Sequence, residues 1–122
     1  MSMNERASLA YECVARFLDR VNARDAAGLA RDFGIGHAIY DEVIDALSGY
    51  FDEIPAWSPS PDRGNAGGAD APGFDLYEMR EAGVWGLECR LWHGGKRAEP
   101  ILHAEFTEDA NGLAMHFKYI EN

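Results

Sequence analysis

The chain has 122 residues, 47% of them hydrophobic, enough for one domain that buries about two-thirds of its unfolded surface around one core. Its 21 Asp and Glu against 11 Lys and Arg give a formal charge of -10, which repels a phosphate backbone and excludes direct nucleic-acid binding. The start, M-S-M-N-E-R, lacks a basic, apolar secretory leader, and no run of about eighteen apolar residues could cross a membrane, so a cytoplasmic protein is expected.

Ser2 followed by Glu5 has the spacing of a capping box, and Ala10, Val14, Phe17, Leu18 and Val21 recur at helical period, which predicts a helix over residues 3–23. Asp25 caps a short second helix carrying Ala26, Leu29, Ala30 and Phe33, ended by Gly34 and Gly36. A third helix over 37–53 sets Ile39, Val43, Leu47, Tyr50 and Ile54 on one face. Tyr40, Ile44 and Phe51 widen that stripe enough to predict burial on more than one side. Residues 55–73 hold four of the five prolines and four glycines, with no periodicity; they read as one long loop, of a length that is usually mobile or functional.

Beyond the loop the period becomes two. Residues 74–80 form a first strand, and Trp85, Leu87, Cys89 and Leu91 face a core on the second. Gly94-Gly95 turns into a third strand with Leu102, Ala104 and Phe106 inward. Asn111-Gly112 leads to a fourth with Leu113, Met115, Phe117 and Tyr119 inward. Cys13 and Cys89 both fall on apolar stripes and read as buried reduced thiols. A block of three helices followed by a four-stranded antiparallel meander, in a single domain spanning 1–122, is an α+β layer fold.

The stretch F-L-D-R-V-N-A-R-D-A-A-G-L-A-R-D-F at 17–33, with Leu91-Trp92 and I-L-H-A-E-F at 101–106, resembles NTF2-like (cystatin-like) domains, in particular a small uncharacterised bacterial branch of that superfamily. The resemblance implies a curved antiparallel sheet wrapped around the helices. It also implies a function among small-molecule enzymes, binding modules and immunity proteins of toxin systems, a choice that fold alone does not make.

Three groups of residues offer chemistry. Strand alternation turns Glu88, Arg90, His103, Glu105, His116 and Lys118 outward, where two histidines with carboxylates suit a metal or acid/base pair. Cross-strand pairing on a solvated face accounts for the same residues without activity, and no metal or cofactor is expected. Tyr11, Tyr40, Tyr50, Asp52, Asp75 and Tyr77 are the types an isomerase or cyclase pocket uses, but no spacing joins them, and tyrosines at helical spacing are more often core residues.

The third group is the charge itself. Residues 1–31 contribute +1 and residues 63–122 contribute -4, whereas 32–62 contribute -7 with no Lys or Arg. Asp41, Asp45 and Asp52 share one side of the third helix, flanked by Glu42 and Glu53. With Asp62, and with Trp57 as an aromatic anchor, they form the expected partner-binding surface of a non-catalytic protein. The specific expectation is a bacterial immunity protein that covers the basic active-site cleft of a cognate toxin. The alternatives are an NTF2-like small-molecule binder or enzyme, and a homodimer formed through the outward face carrying Trp92 and Ile101.

Overall fold

A computed structural model describes residues 1–48, 56–61 and 73–122. Helix α1 (Met3–Asn22) begins where the Ser2 hydroxyl accepts from the Glu5 amide at 3.1 Å. It buries Ala10, Cys13, Val14, Phe17, Leu18 and Val21, the apolar stripe of the sequence with Cys13 added. Helix α2 (Ala26–Phe33) is capped by Asp25, whose carboxylate accepts from the Gly28 amide at 2.8 Å. It ends at Gly34, whose φ of 65° is costly for a residue with a Cβ. The Ile35 amide then reaches back to the Leu29 carbonyl, and buried Ile35 seals the Schellman turn. Arg20 ties the two helices together, reaching Asp25 and Asp32 at 3.2 Å each.

Helix α3 (His37–Ser48) buries only Val43 and Leu47, with Tyr40 and Ile44 partly covered, while Ile39 is exposed. The expected burial on more than one side is therefore corrected for 37–48. Among the described residues the main neighbours of α3 are α2 and the last strand, and only Val43 and Leu47 are fully buried. The proposed continuation through 49–53, with Tyr50, Phe51 and Ile54, lies outside the described residues.

The strands are β1 (Trp57–Pro59), β2 (Phe74–Glu78), β3 (Val84–His93), β4 (Lys96–Asp109) and β5 (Gly112–Glu121). They form one curled antiparallel sheet, and with the three preceding helices the fold is α+β, as the sequence predicts. The four expected strands are present, and β1 is an addition. It emerges from the stretch read as loop, because three residues are too few to show a period of two. Strands β1 and β2 lie in succession along the same edge of β3. On this edge the Ser60 amide donates to the Arg90 carbonyl at 3.1 Å, and the Gly73 carbonyl accepts from the Arg90 amide at 2.8 Å. The residues next to β1 and β2 thus reach the same residue of β3, Arg90.

The helices cover the inward face of the sheet. Phe74 and Leu76 of β2, Leu87, Cys89 and Leu91 of β3, Leu102, Ala104 and Phe106 of β4, and Met115 of β5 pack against the α1 stripe. Phe17 stands at the centre, edge-on to Phe33 and stacked on Phe117, each with ring centroids 5.4 Å apart. Full burial of such a side chain contributes about 2–3 kcal/mol, so this cluster dominates the stability of the fold. Cys13 and Cys89 are buried and free, as expected.

Tyr119, expected inward, is 53% exposed. The register explains the correction. His103 pairs with Tyr119 and Ala104 with Phe117, so Lys118 is an extra residue in β5. A bulge reverses the alternation beyond it, turning Tyr119 outward and bringing Ile120 onto the core.

Candidate functional site

On α3, Asp41, Glu42 and Asp45 are all exposed, and Val43 and Leu47 hold the opposite side of the helix against the protein. The Asn122 amide, 3.3 Å from the Ala46 carbonyl, secures the chain end to this helix. Asp41 meets His37 one turn earlier at 3.5 Å, both side chains largely in solvent. Asp45 lies one turn beyond Asp41 with no cation between them, so their repulsion costs a few tenths of a kcal/mol. Asp52, Glu53 and Asp62 lie outside the described residues.

Trp57 does not stand beside this face as an anchor. Its side chain is 2% exposed and joins the core, its ring 4.8 Å from that of His93. Its backbone is held as firmly. The Asn22 side chain donates to the Trp57 carbonyl and accepts from the Trp57 amide, both at 2.8 Å. The anchor role is therefore corrected: β1 carries the indole inward, because strand pairing with β3 fixes which way each of its residues points.

The outward sheet face brings together most of the polar residues that alternation places there. His103 Nε2 lies 2.7 Å from Glu121 Oε1 and Nδ1 lies 3.9 Å from Glu88, with the ring stacked on Tyr119 at 4.3 Å. Lys118 reaches Glu105 at 3.5 Å, and His116 Nε2 lies 3.0 Å from the Thr107 hydroxyl. Arg90 stays apart, its Nη1 donating to the carbonyls of Ala98 and Glu99 at 3.4 and 2.7 Å. A general base needs one nitrogen facing substrate. Both nitrogens of His103 lie towards glutamates and its side chain is only 13% exposed, an arrangement that cross-strand pairing of polar residues accounts for. Among the described residues no cluster of His, Cys, Asp and Glu has the makings of a metal site. Glu121 and Tyr119, the closest neighbours of His103, could not be found by alternation because they follow the bulge.

Of the residues considered for an enclosed pocket, Tyr11 falls on one side of the sheet and Asp75 and Tyr77 on the other. Tyr11 packs on Phe74 from the helix side, 5.3 Å between centroids. Asp75 and Tyr77 alternate with inward Phe74 and Leu76 and so face outward. Tyr77 lies across Gly86 so closely that a Cβ there would meet its ring at 2.4 Å. Burial, then Glu88 and Asp75, push its hydroxyl pKa up, which holds it neutral. Tyr40 sits on α3, and Tyr50 lies outside the described residues. A groove of about 770 Å³ runs between α1, the end of α2 and β5, lined by Cys13, Arg16, Arg31, Phe33 and His116 among others. Its thiol is a poor nucleophile, because burial raises the Cys13 pKa.

No described helix is long and apolar enough to cross a membrane. Compared with known proteins, the chain matches no family model, no curated protein and no solved structure.

Proposed function

We propose that the protein is a non-catalytic binding protein that presents the acidic face of α3 to a basic partner. The partner fitted best by this surface is a bacterial toxin whose active-site cleft is cationic because it acts on nucleic acid. The chain would then be that toxin's immunity protein, built on an NTF2-like frame. The three helices and curled antiparallel sheet are compatible with that frame.

The observation carrying the proposal is the simultaneous exposure of Asp41, Glu42 and Asp45 on a helix whose other side is anchored, within a 31-residue stretch, 32–62, that has seven acids and no Lys or Arg. Such a surface accelerates encounter with a cationic cleft and loses that advantage in salt. The reading against a pocket enzyme is supported by the separation of Tyr11 from Asp75 and Tyr77 across the sheet.

Co-purification from the native host at low salt, with wild type and with Asp41→Lys/Asp45→Lys, tests the proposal. Both sites are exposed, so the double variant should fold as wild type does. The expected result is a basic partner held by wild type, released by salt and lost by the variant, with about tenfold or greater weakening. Equal retention by the variant, or retention of no partner by wild type, overturns the reading.

A further inference from the structure

We propose that the groove beside the β3–β4 hairpin is an oxyanion site that takes the phosphate group of a small molecule, independently of the acidic α3 face. The groove, about 600 Å³, is lined by Arg90, His93, Lys96, Arg97, Ala98 and Glu99. It lies in the range of small-molecule sites.

Its construction starts from a break in the β3–β4 ladder. Arg90 pairs with Ile101 and Trp92 with Arg97, so residues 98–100 of β4 stand opposite Leu91 alone. Pro100 has no amide hydrogen to give the ladder, and the bulge leaves the Ala98 and Glu99 carbonyls to be satisfied elsewhere. Arg90 Nη1 satisfies both. These two bonds fix the guanidinium plane and use one nitrogen. Nε is buried with no hydrogen-bond partner, and Nη2 makes no hydrogen bond among the described residues. The Nε and Nη2 hydrogens point the same way and form the fork that grips two oxygens of an oxyanion. A guanidinium immobilised through its third nitrogen is such a fork already oriented.

Charge supports the same ligand. Lys96 and Arg97 are exposed and make no ion pair among the described residues. Residues 90–98 hold three basic side chains and no acid in a chain of net charge -10, and among the described residues Glu99 is the only carboxylate on the groove wall. Among the described lining residues the balance is therefore +2, which matches a phosphate dianion better than a single carboxylate. A long polyanion is disfavoured by the acidity of the rest of the molecule.

Titration of the full chain with inorganic phosphate, and separately with acetate at the same ionic strength, tests the site by ¹H–¹⁵N spectra that include the arginine Nε–H signals. Saturable shifts of the Arg90 Nε–H and of the amides of residues 93–97 are expected with phosphate, with acetate weaker by about tenfold. Lys96→Ala/Arg97→Ala should weaken phosphate by about tenfold, whereas Arg80→Ala, which removes an exposed charge elsewhere, should leave it unchanged. Spectra unchanged outside the hairpin confirm that the variants are folded. Non-saturating shifts, acetate binding as tight as phosphate, or equal weakening by Arg80→Ala would each overturn the site.

Discussion

Asn22 does with one side chain what a neighbouring strand would otherwise do. Its amide matches both backbone groups of Trp57 and closes the outer edge of β1 against pairing with another chain. Nothing local marks Asn22 for this task, because its partner is 35 residues away. The cysteines were readable, since a position on an apolar stripe is enough to predict burial. Their chemistry follows from that burial. Removal from water pushes the Cys89 thiol up to about 12, and the Cys13 thiol is raised less. At about pH 8, where a free thiol is partly ionised, a disulfide-exchange reagent should leave Cys89 unmodified in the native protein. Cys13, at 8% exposure, should react before it, and both should react at once in denaturant. Fast native labelling of Cys89, seen by mass spectrometry, would contradict its placement in the core.

At the level of elements, the caps and periods written in the sequence became helices and strands almost where they were expected, while the departures in the sheet occurred where one strand met another. The bulge at Lys118 is the clearest case. Alternation read along β5 places Tyr119 inward, but pairing with β4 inserts one residue and turns it out to stack on His103. Removing the extra residue should therefore keep the pairing, with Tyr119 opposite His103 and Ile120 opposite Leu102 in a regular ladder. Deletion of Lys118 should accordingly cost less than about 1 kcal/mol, whereas insertion of one alanine after Tyr119, which sets Ile120 opposite Ile101 and out of the core, should cost about 2 kcal/mol or more. Lys118→Ala, which removes only a half-exposed pair with Glu105, should cost less than about 1 kcal/mol. Urea unfolding of the deletion and insertion variants distinguishes these outcomes, and equal costs would mean that Lys118 is not the extra residue. Strand β1 was missed for a related reason: three residues acquire their identity from β3, not from their own pattern.

Across the whole molecule, Arg6 fastens the first turn of α1 to the far end of the sheet. Its guanidinium lies 4.2 Å from the Trp85 ring centroid, donates to Glu108 of β4 and reaches the Met1 carbonyl at 3.0 Å. The hydrogen bond from Arg6, more than its charge, holds the Glu108 carboxyl below its ordinary range. A carboxyl with a depressed folded pKa stabilises the fold above its unfolded pKa, and that contribution disappears as pH falls through the folded value. Wild type should accordingly lose stability on acidification below the usual glutamate range. Glu108→Gln should be less stable at neutral pH and show a flatter acid limb, measured by thermal unfolding across pH. Parallel limbs for the two proteins would show that the pair is not linked to folding. Charge also acts over longer range, and here the sequence was informative about amount and place but not about presentation. It located the acids of 32–62; only the packing of Val43 and Leu47 decides that Asp41, Glu42 and Asp45 face outward together.

The sequence by itself determined the class of fold, the two helix caps, the apolar stripe of α1, the burial of both thiols and the concentration of negative charge. These depend on periodicity and composition, which are properties of neighbours in the chain. Tertiary structure decided the burial of Trp57, the reversal at Tyr119, the clasp of Asn22 on β1 and the orientation of Arg90 at its bulge. Each of these rests on a strand register or a contact between distant residues, and a shift of one residue in that register exchanges the inside of the sheet for the outside.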